Sequence, residues 1–174
     1  LSGVIGGFTH RDFDAVRASS IIAHGEAQLW GFIVLFIMGV SLRTVLLGIV
    51  RHWVGPWVTR ALLSLALFGI AGGLAWSLMP QKFAPLGVAS AASLFLMAVL
   101  YWLLQLAMLQ RKWPATWARA VLASGFWLVI WAGVTIYLRG SAGAAGPAAY
   151  TSSQRLLLIE LAVFGFAMNS IYGF

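Results

Sequence analysis

The chain has 174 residues, of which 61% are hydrophobic and 9% charged, with nine Trp, eleven Lys or Arg and four acidic residues. A mean hydropathy of +0.93 excludes a soluble enzyme domain and points to an integral membrane protein in contact with a lipid bilayer. The net charge of +7 lies almost wholly between apolar runs, as snorkelling helix ends and loops require, so it reports membrane topology and argues against a nucleic-acid partner.

The absence of Cys removes disulfides, thiolate-bound haem, iron–sulfur clusters and Cys-based copper or zinc sites within these residues. The start at Leu1, with no apolar segment following a basic stretch, and the apolar run continuing at Phe174 lead to the expectation of a piece of a longer protein.

Residues 1–20 contain no span and read as an extramembrane segment carrying His10, Asp12 and Asp14. After it come five segments near the roughly 20 apolar residues needed to cross a bilayer. They cover residues 24–46, 60–79, 86–109, 117–138 and 156–174. Lipid forbids unpaired backbone polar groups, and strands would show shorter alternating runs, so each segment reads as a helix. The expected fold is an all-α, polytopic membrane bundle. It divides into the 1–20 segment, a four-helix unit over 21–138, a Gly/Ala/Ser-rich loop over 139–155 and the start of a second unit over 156–174.

Charge and Pro mark the connections RHWVGPW, MPQKFAP and QRKWPAT, where helices should end. Arg43, Arg51, Arg60, Arg111, Lys112 and Arg119 fall on one face of the membrane, against Arg11, Arg17, Lys82, Arg139 and Arg155 on the other. The imbalance is small, and it places residues 1–20 and the His24 end outside the cytoplasm. Trp53, Trp57, Trp76, Trp113 and Trp117 lie near span ends, as an aromatic belt requires, whereas Trp127 and Trp131 must pack inside or face lipid. The five Met residues show no paired spacing for copper transport and read as packing.

The first and last spans are related in sequence. Laid over one another with Glu26 on Glu160, EAQLWGFIVLFIMGV and ELAVFGFAMNSIYGF share Glu, Gly, Phe, Ile and Gly, where roughly one or two identities would arise by composition. Trp30 falls on Phe164. With four crossings between them the copies run in the same direction, so this is a parallel internal repeat, a class in which functional sites lie between the related units.

The polar residues of this motif are the candidate site. His24 and Gln28 share a helical face with Gly31, while Glu26 points about 200° away from His24, so His24 and Glu26 cannot grip one metal together. His24 is the candidate axial ligand for haem b and a candidate copper ligand; a lone membrane His can instead bond a neighbouring carbonyl. His52 reads as interfacial. Glu26 and Glu160 are candidate proton or ion sites, because a carboxylate within a span is costly. The bland alternatives are an interfacial carboxylate for Glu26 and a surface ion pair with Arg155 for Glu160. Gly31 with Gly39, and Gly165 with Gly173, let a helix or a flat macrocycle approach closely. No Walker, Rossmann, HExxH, GxSxG or kinase motif is present.

The stretch HGEAQLWGFIVLFIMGVSLR resembles the His-x-His-x-x-x-Phe-Gly-Phe pattern of the NnrS family. That resemblance implies a polytopic haem- and copper-containing protein of the bacterial inner membrane, linked to nitric oxide metabolism. It implies His24 as the first histidine, Trp30 as the aromatic, and Gly31 and Phe32 as the Gly-Phe pair packing a cofactor. Glu26 replaces the second histidine, and Leu158 occupies the position of His24 in the second copy. The expected function is therefore that of a membrane haem protein, with copper as a further candidate cofactor, in nitric oxide response or electron transfer. The alternative is a non-catalytic transmembrane subunit packing against other helices in a respiratory or photosynthetic complex. A third reading, a transporter using Glu26 and Glu160 for protons, has no substrate signature.

Overall fold

The computed structural model describes residues 20–41, 55–109 and 115–172. They form an all-α bundle with no strand among them, built from five helices long and apolar enough to cross a membrane. We number these α1 (Ser20–Val40), α2 (Pro56–Leu78), α3 (Pro80–Leu109), α4 (Ala115–Ala142) and α5 (Ser152–Ile171). His10, His52, Trp53, Trp113 and Gly173 lie outside the described residues.

Local sequence explains the helix limits. Pro56 takes the first position of α2 behind an extended Gly55, where a missing N–H is harmless. Pro80 opens α3 after Met79 leaves the helical region (φ −137°). Pro85 lies inside α3, and the backbone two residues before it, at Phe83, departs from helical geometry (φ −118°, ψ 24°), the kink expected of an internal proline. Thr151 caps α5 through a capping box, its hydroxyl accepting from the Gln154 N–H at 3.2 Å while the Gln154 side chain accepts from the Thr151 N–H at 2.8 Å.

The core joins all five helices. Trp30, Val34 and Met38 of α1 meet Leu62 and Ala66 of α2, Leu94, Met97 and Tyr101 of α3, Leu128 and Trp131 of α4, and Ala162 and Phe166 of α5. Outward faces carry Phe32, Phe36, Trp57, Leu67, Tyr137 and Phe164, apolar side chains suited to lipid or to further helices.

A Gly/Ala/Ser-rich loop is expected over 139–155, and much of that stretch is helical. Helix α4 continues to Ala142 and passes into a 3-10 helix, Gly143–Ala149. Gly146 has φ of 70°, and a Cβ there would come within 2.6 Å of Pro80, so the tight seat of this segment against the start of α3 requires glycine.

Candidate functional site

At the end of the bundle where α1 begins, four helices converge on one charged pair. Arg139 Nη2 lies 3.2 Å from Glu26 Oε2, with side-chain exposures of 1% and 15%. Ser77, in the last turn of α2, donates to the same carboxylate oxygen at 3.1 Å. On the other branch, Arg139 Nη1 donates to Ser90 Oγ on α3 at 2.7 Å, and the Ser90 hydroxyl donates in turn to the Gly87 carbonyl at 2.8 Å. The guanidinium also lies over the Trp76 ring, 5.5 Å from its centroid, a cation–π contact. Trp76 is held in turn by a 2.9 Å bond from its indole N–H to the Gly143 carbonyl.

Glycines make room for this assembly. A Cβ at Gly73 would stand 2.6–3.0 Å from the Arg139 guanidinium, and one at Gly87 would stand 2.7 Å from the Trp76 ring. Tyr150 closes the cluster, its ring 6.2 Å from that of Trp76. Its hydroxyl is buried beside the Arg139 side chain, whose Nε is buried without a hydrogen-bond partner. Burial pushes the Tyr150 phenol well above its ordinary range, Glu26 pushes it further, and Arg139 opposes the shift, so the phenol keeps its proton. A groove of about 260 Å³ beside the cluster, between the starts of α1 and α5, is lined by Ile22, Glu26, Leu29, Tyr150, Arg155 and Leu158.

These findings revise several expectations. Arg139 is not a snorkelling surface cation but a buried helix residue, because Glu26, Ser90 and Trp76 together replace its water. Trp76 is fully buried and leaves the expected aromatic belt, while Trp57 is exposed as expected. Glu26 is neither lipid-facing nor a lone interfacial carboxylate. Arg155 donates to the Ala148 carbonyl at 3.3 Å and forms no ion pair with Glu160, which is exposed.

His24 lies on the outward side of α1, with Gln28 Nε2 3.0 Å from its Nε2; the predicted shared face and the separation from Glu26 both hold. Phe32 is 70% exposed, and a Cβ on Gly31 would meet nothing within 4 Å. Both stand on the outer surface of the described bundle. Among the described residues no group of three or more His, Cys, Asp or Glu could hold a metal ion. One imidazole on an open face fits haem or copper only if a partner supplies the remaining ligands and walls.

Sequence reasoning missed Arg139, Ser77, Ser90 and Tyr150 as site residues. A signal did exist: the basic-residue count places Arg139 on the same membrane face as the His24 end, level with Glu26.

The repeat has a structural counterpart. In α1 the backbone widens to a π-helix over Ala27–Val34, and in α5 over Leu161–Ala167. Each π segment starts at the residue after the motif glutamate. In α5 the Asn169 side chain donates to the Phe164 and Gly165 carbonyls at 3.1 and 2.7 Å, serving acceptors within the widened turns. No protein-family model, curated protein or solved structure matches this chain.

Proposed function

We propose that this chain is a non-catalytic packing module of a larger assembly in the bacterial cytoplasmic membrane, built on a scaffold like that of the NnrS family. The observation that carries this reading is where the polar groups are used. Glu26 is engaged in tying α1 to α2 and α4 through Ser77 and Arg139, and the candidate ligand His24 faces outward. We read this buried ion pair as fixing which helices meet and in what register, a role some buried polar groups serve. The module's exposed apolar faces supply the surfaces for partner helices. Purification of the full chain with its membrane partners, followed by native mass spectrometry, tests this: stoichiometric copurification of another membrane protein is the expected result. A chain that is monomeric in mild detergent and in nanodiscs overturns it.

A second reading keeps a haem, with copper as the other candidate, at His24. It is favoured by the open surface beside that residue, since a Cβ at Gly25 or Gly31 would meet nothing within 4 Å, leaving room for a flat macrocycle against the helix. Here His24 would supply one axial imidazole and a partner helix the rest, in the setting of electron transfer or nitric oxide response. Reduced-minus-oxidised spectra of the purified assembly check it. A haem band lost or shifted in His24→Ala supports the reading, and a band unchanged by the substitution removes it.

A further inference from the structure

Each copy of the repeated motif leaves bare the face that the other copy buries. In α1 the inward residues are Trp30, Val34 and Met38, with Glu26 reaching Arg139, while Gln28, Phe32 and Phe36 face outward. In α5 the pattern is reversed at most of these positions, Met168 opposite Val34 being half-buried. Ala162, Phe166 and Ser170, the counterparts of Gln28, Phe32 and Phe36, are buried, whereas Glu160 and Phe164, the counterparts of Glu26 and Trp30, are exposed, Phe164 at 67%. The glycines follow suit: a Cβ at Gly165 would meet the Trp127 side chain at 3.1 Å, and one at Gly31 would meet nothing.

The two copies therefore serve as templates for each other. In the first, α4 covers the Glu26 and Trp30 face by offering Arg139 to the carboxylate at 3.2 Å and stacking Trp131 on Trp30, with centroids 4.0 Å apart and planes 9° from parallel. The same α4 covers the opposite face of α5 through Trp127. Glu160 and Phe164, on the other side of α5, stay exposed. Around these two, Leu156, Leu157, Ile159 and Ile171 are also exposed, so an acidic group stands in an apolar field, where an unpaired carboxylate is unfavourable in a membrane.

We infer that the Glu160 and Phe164 face of α5 docks a membrane-spanning helix of the same kind as α4, one that presents a guanidinium to Glu160 and an aromatic ring to Phe164. The partner's chemistry is set by charge complementarity and by the covered copy: a cation level with Glu160, an indole or phenyl ring about two helical turns away along the antiparallel helix, and small or apolar residues between. The inference rests on the packing-module reading and names the partner for one of its faces.

The probe is a fluorescent synthetic peptide of residues 115–142, which carries both Trp131 and Arg139, added to the labelled full chain in phosphatidylcholine vesicles. Energy transfer should show saturable binding, weakened about tenfold or more in Glu160→Arg, the scale of one interhelical polar contact. A peptide carrying Arg139→Glu should bind the Glu160→Arg chain better than it binds the unaltered one. No saturable binding overturns the inference. So does equal binding to the unaltered and Glu160→Arg chains, which is the signature of the peptide exchanging for the resident α4 at Glu26. If a membrane partner copurifies and the peptide fails, the docking chemistry alone is wrong. If the peptide binds with reciprocal charge dependence while nothing copurifies, the face is real and the assembly reading is wrong.

Discussion

Arg139 and Glu26 meet across 3.2 Å although 113 residues separate them, one lying in the last turn of α4 and the other in the first turns of α1. Their pairing locks the first and fourth helices at one level, and Ser77 and Ser90 extend it to the second and third. Taking one partner from a buried pair costs about 3–5 kcal/mol, whereas replacing both by apolar groups is often neutral or stabilising. The expected order is therefore definite. Glu26→Leu should destabilise more than Arg139→Leu, because it strands a guanidinium that is 1% exposed, whereas a lone Glu26 is already 15% exposed and borders the groove. The double variant should recover most of the loss. Unfolding midpoints in mixed detergent micelles check all three, and a double variant no better than the worse single one would refute the pairing argument.

Gly73 supplies the space in which the guanidinium sits, a Cβ there falling 2.6–3.0 Å from its atoms. Gly73→Ala should push the guanidinium off Glu26 and lower stability, despite the gain of up to about 1 kcal/mol that Ala brings to a helix interior. In the Glu26→Leu, Arg139→Leu background the same substitution should lose most of its cost. Equal destabilisation in both backgrounds would place the clash elsewhere.

The repeat gives a paired test at equivalent positions. Gly31→Ala meets open space and should be neutral or slightly stabilising, whereas Gly165→Ala drives a methyl to 3.1 Å from Trp127 and should destabilise. Likewise Trp30→Ala, in the core, should cost about 3–5 kcal/mol, while Phe164→Ala should change the stability of the isolated chain by less than about 0.5 kcal/mol. Thermal or detergent unfolding of the four variants measures this; matched effects within either pair would remove the face reversal.

Tyr150 predicts an alkaline limit. Burial and Glu26 raise its phenol above the ordinary value of 10.0, so the folded chain holds this proton more tightly than the unfolded one. The resulting stability is fully present below pH 10.0 and is lost as pH rises above it, where the unfolded chain ionises first. Tyr150→Phe should flatten that alkaline decline, because the substituted ring has no proton to lose. Difference titrations of unfolding between pH 8 and 11 decide the matter; parallel curves for the two proteins would refute it.

The sequence by itself determined that the chain is helical, that it has five membrane-length segments, and that the first and last share a motif. These are local properties: twenty apolar residues in lipid have one way to satisfy their backbone, and identities in register need no coordinates. It also determined the opposition of His24 and Glu26, which is helical phase alone. What surrounds those residues was decided by the tertiary structure. In spans so uniformly apolar, periodicity does not distinguish inward from outward, so the burial of Trp30 and the exposure of Phe164 at equivalent positions were illegible. Arg139 read as a loop cation because its burial depends on groups from three other helices, Glu26, Ser90 and Trp76, and on the missing side chain of Gly73. A charge enters a bundle only when distant parts of the chain supply its partners, and no local pattern records that supply.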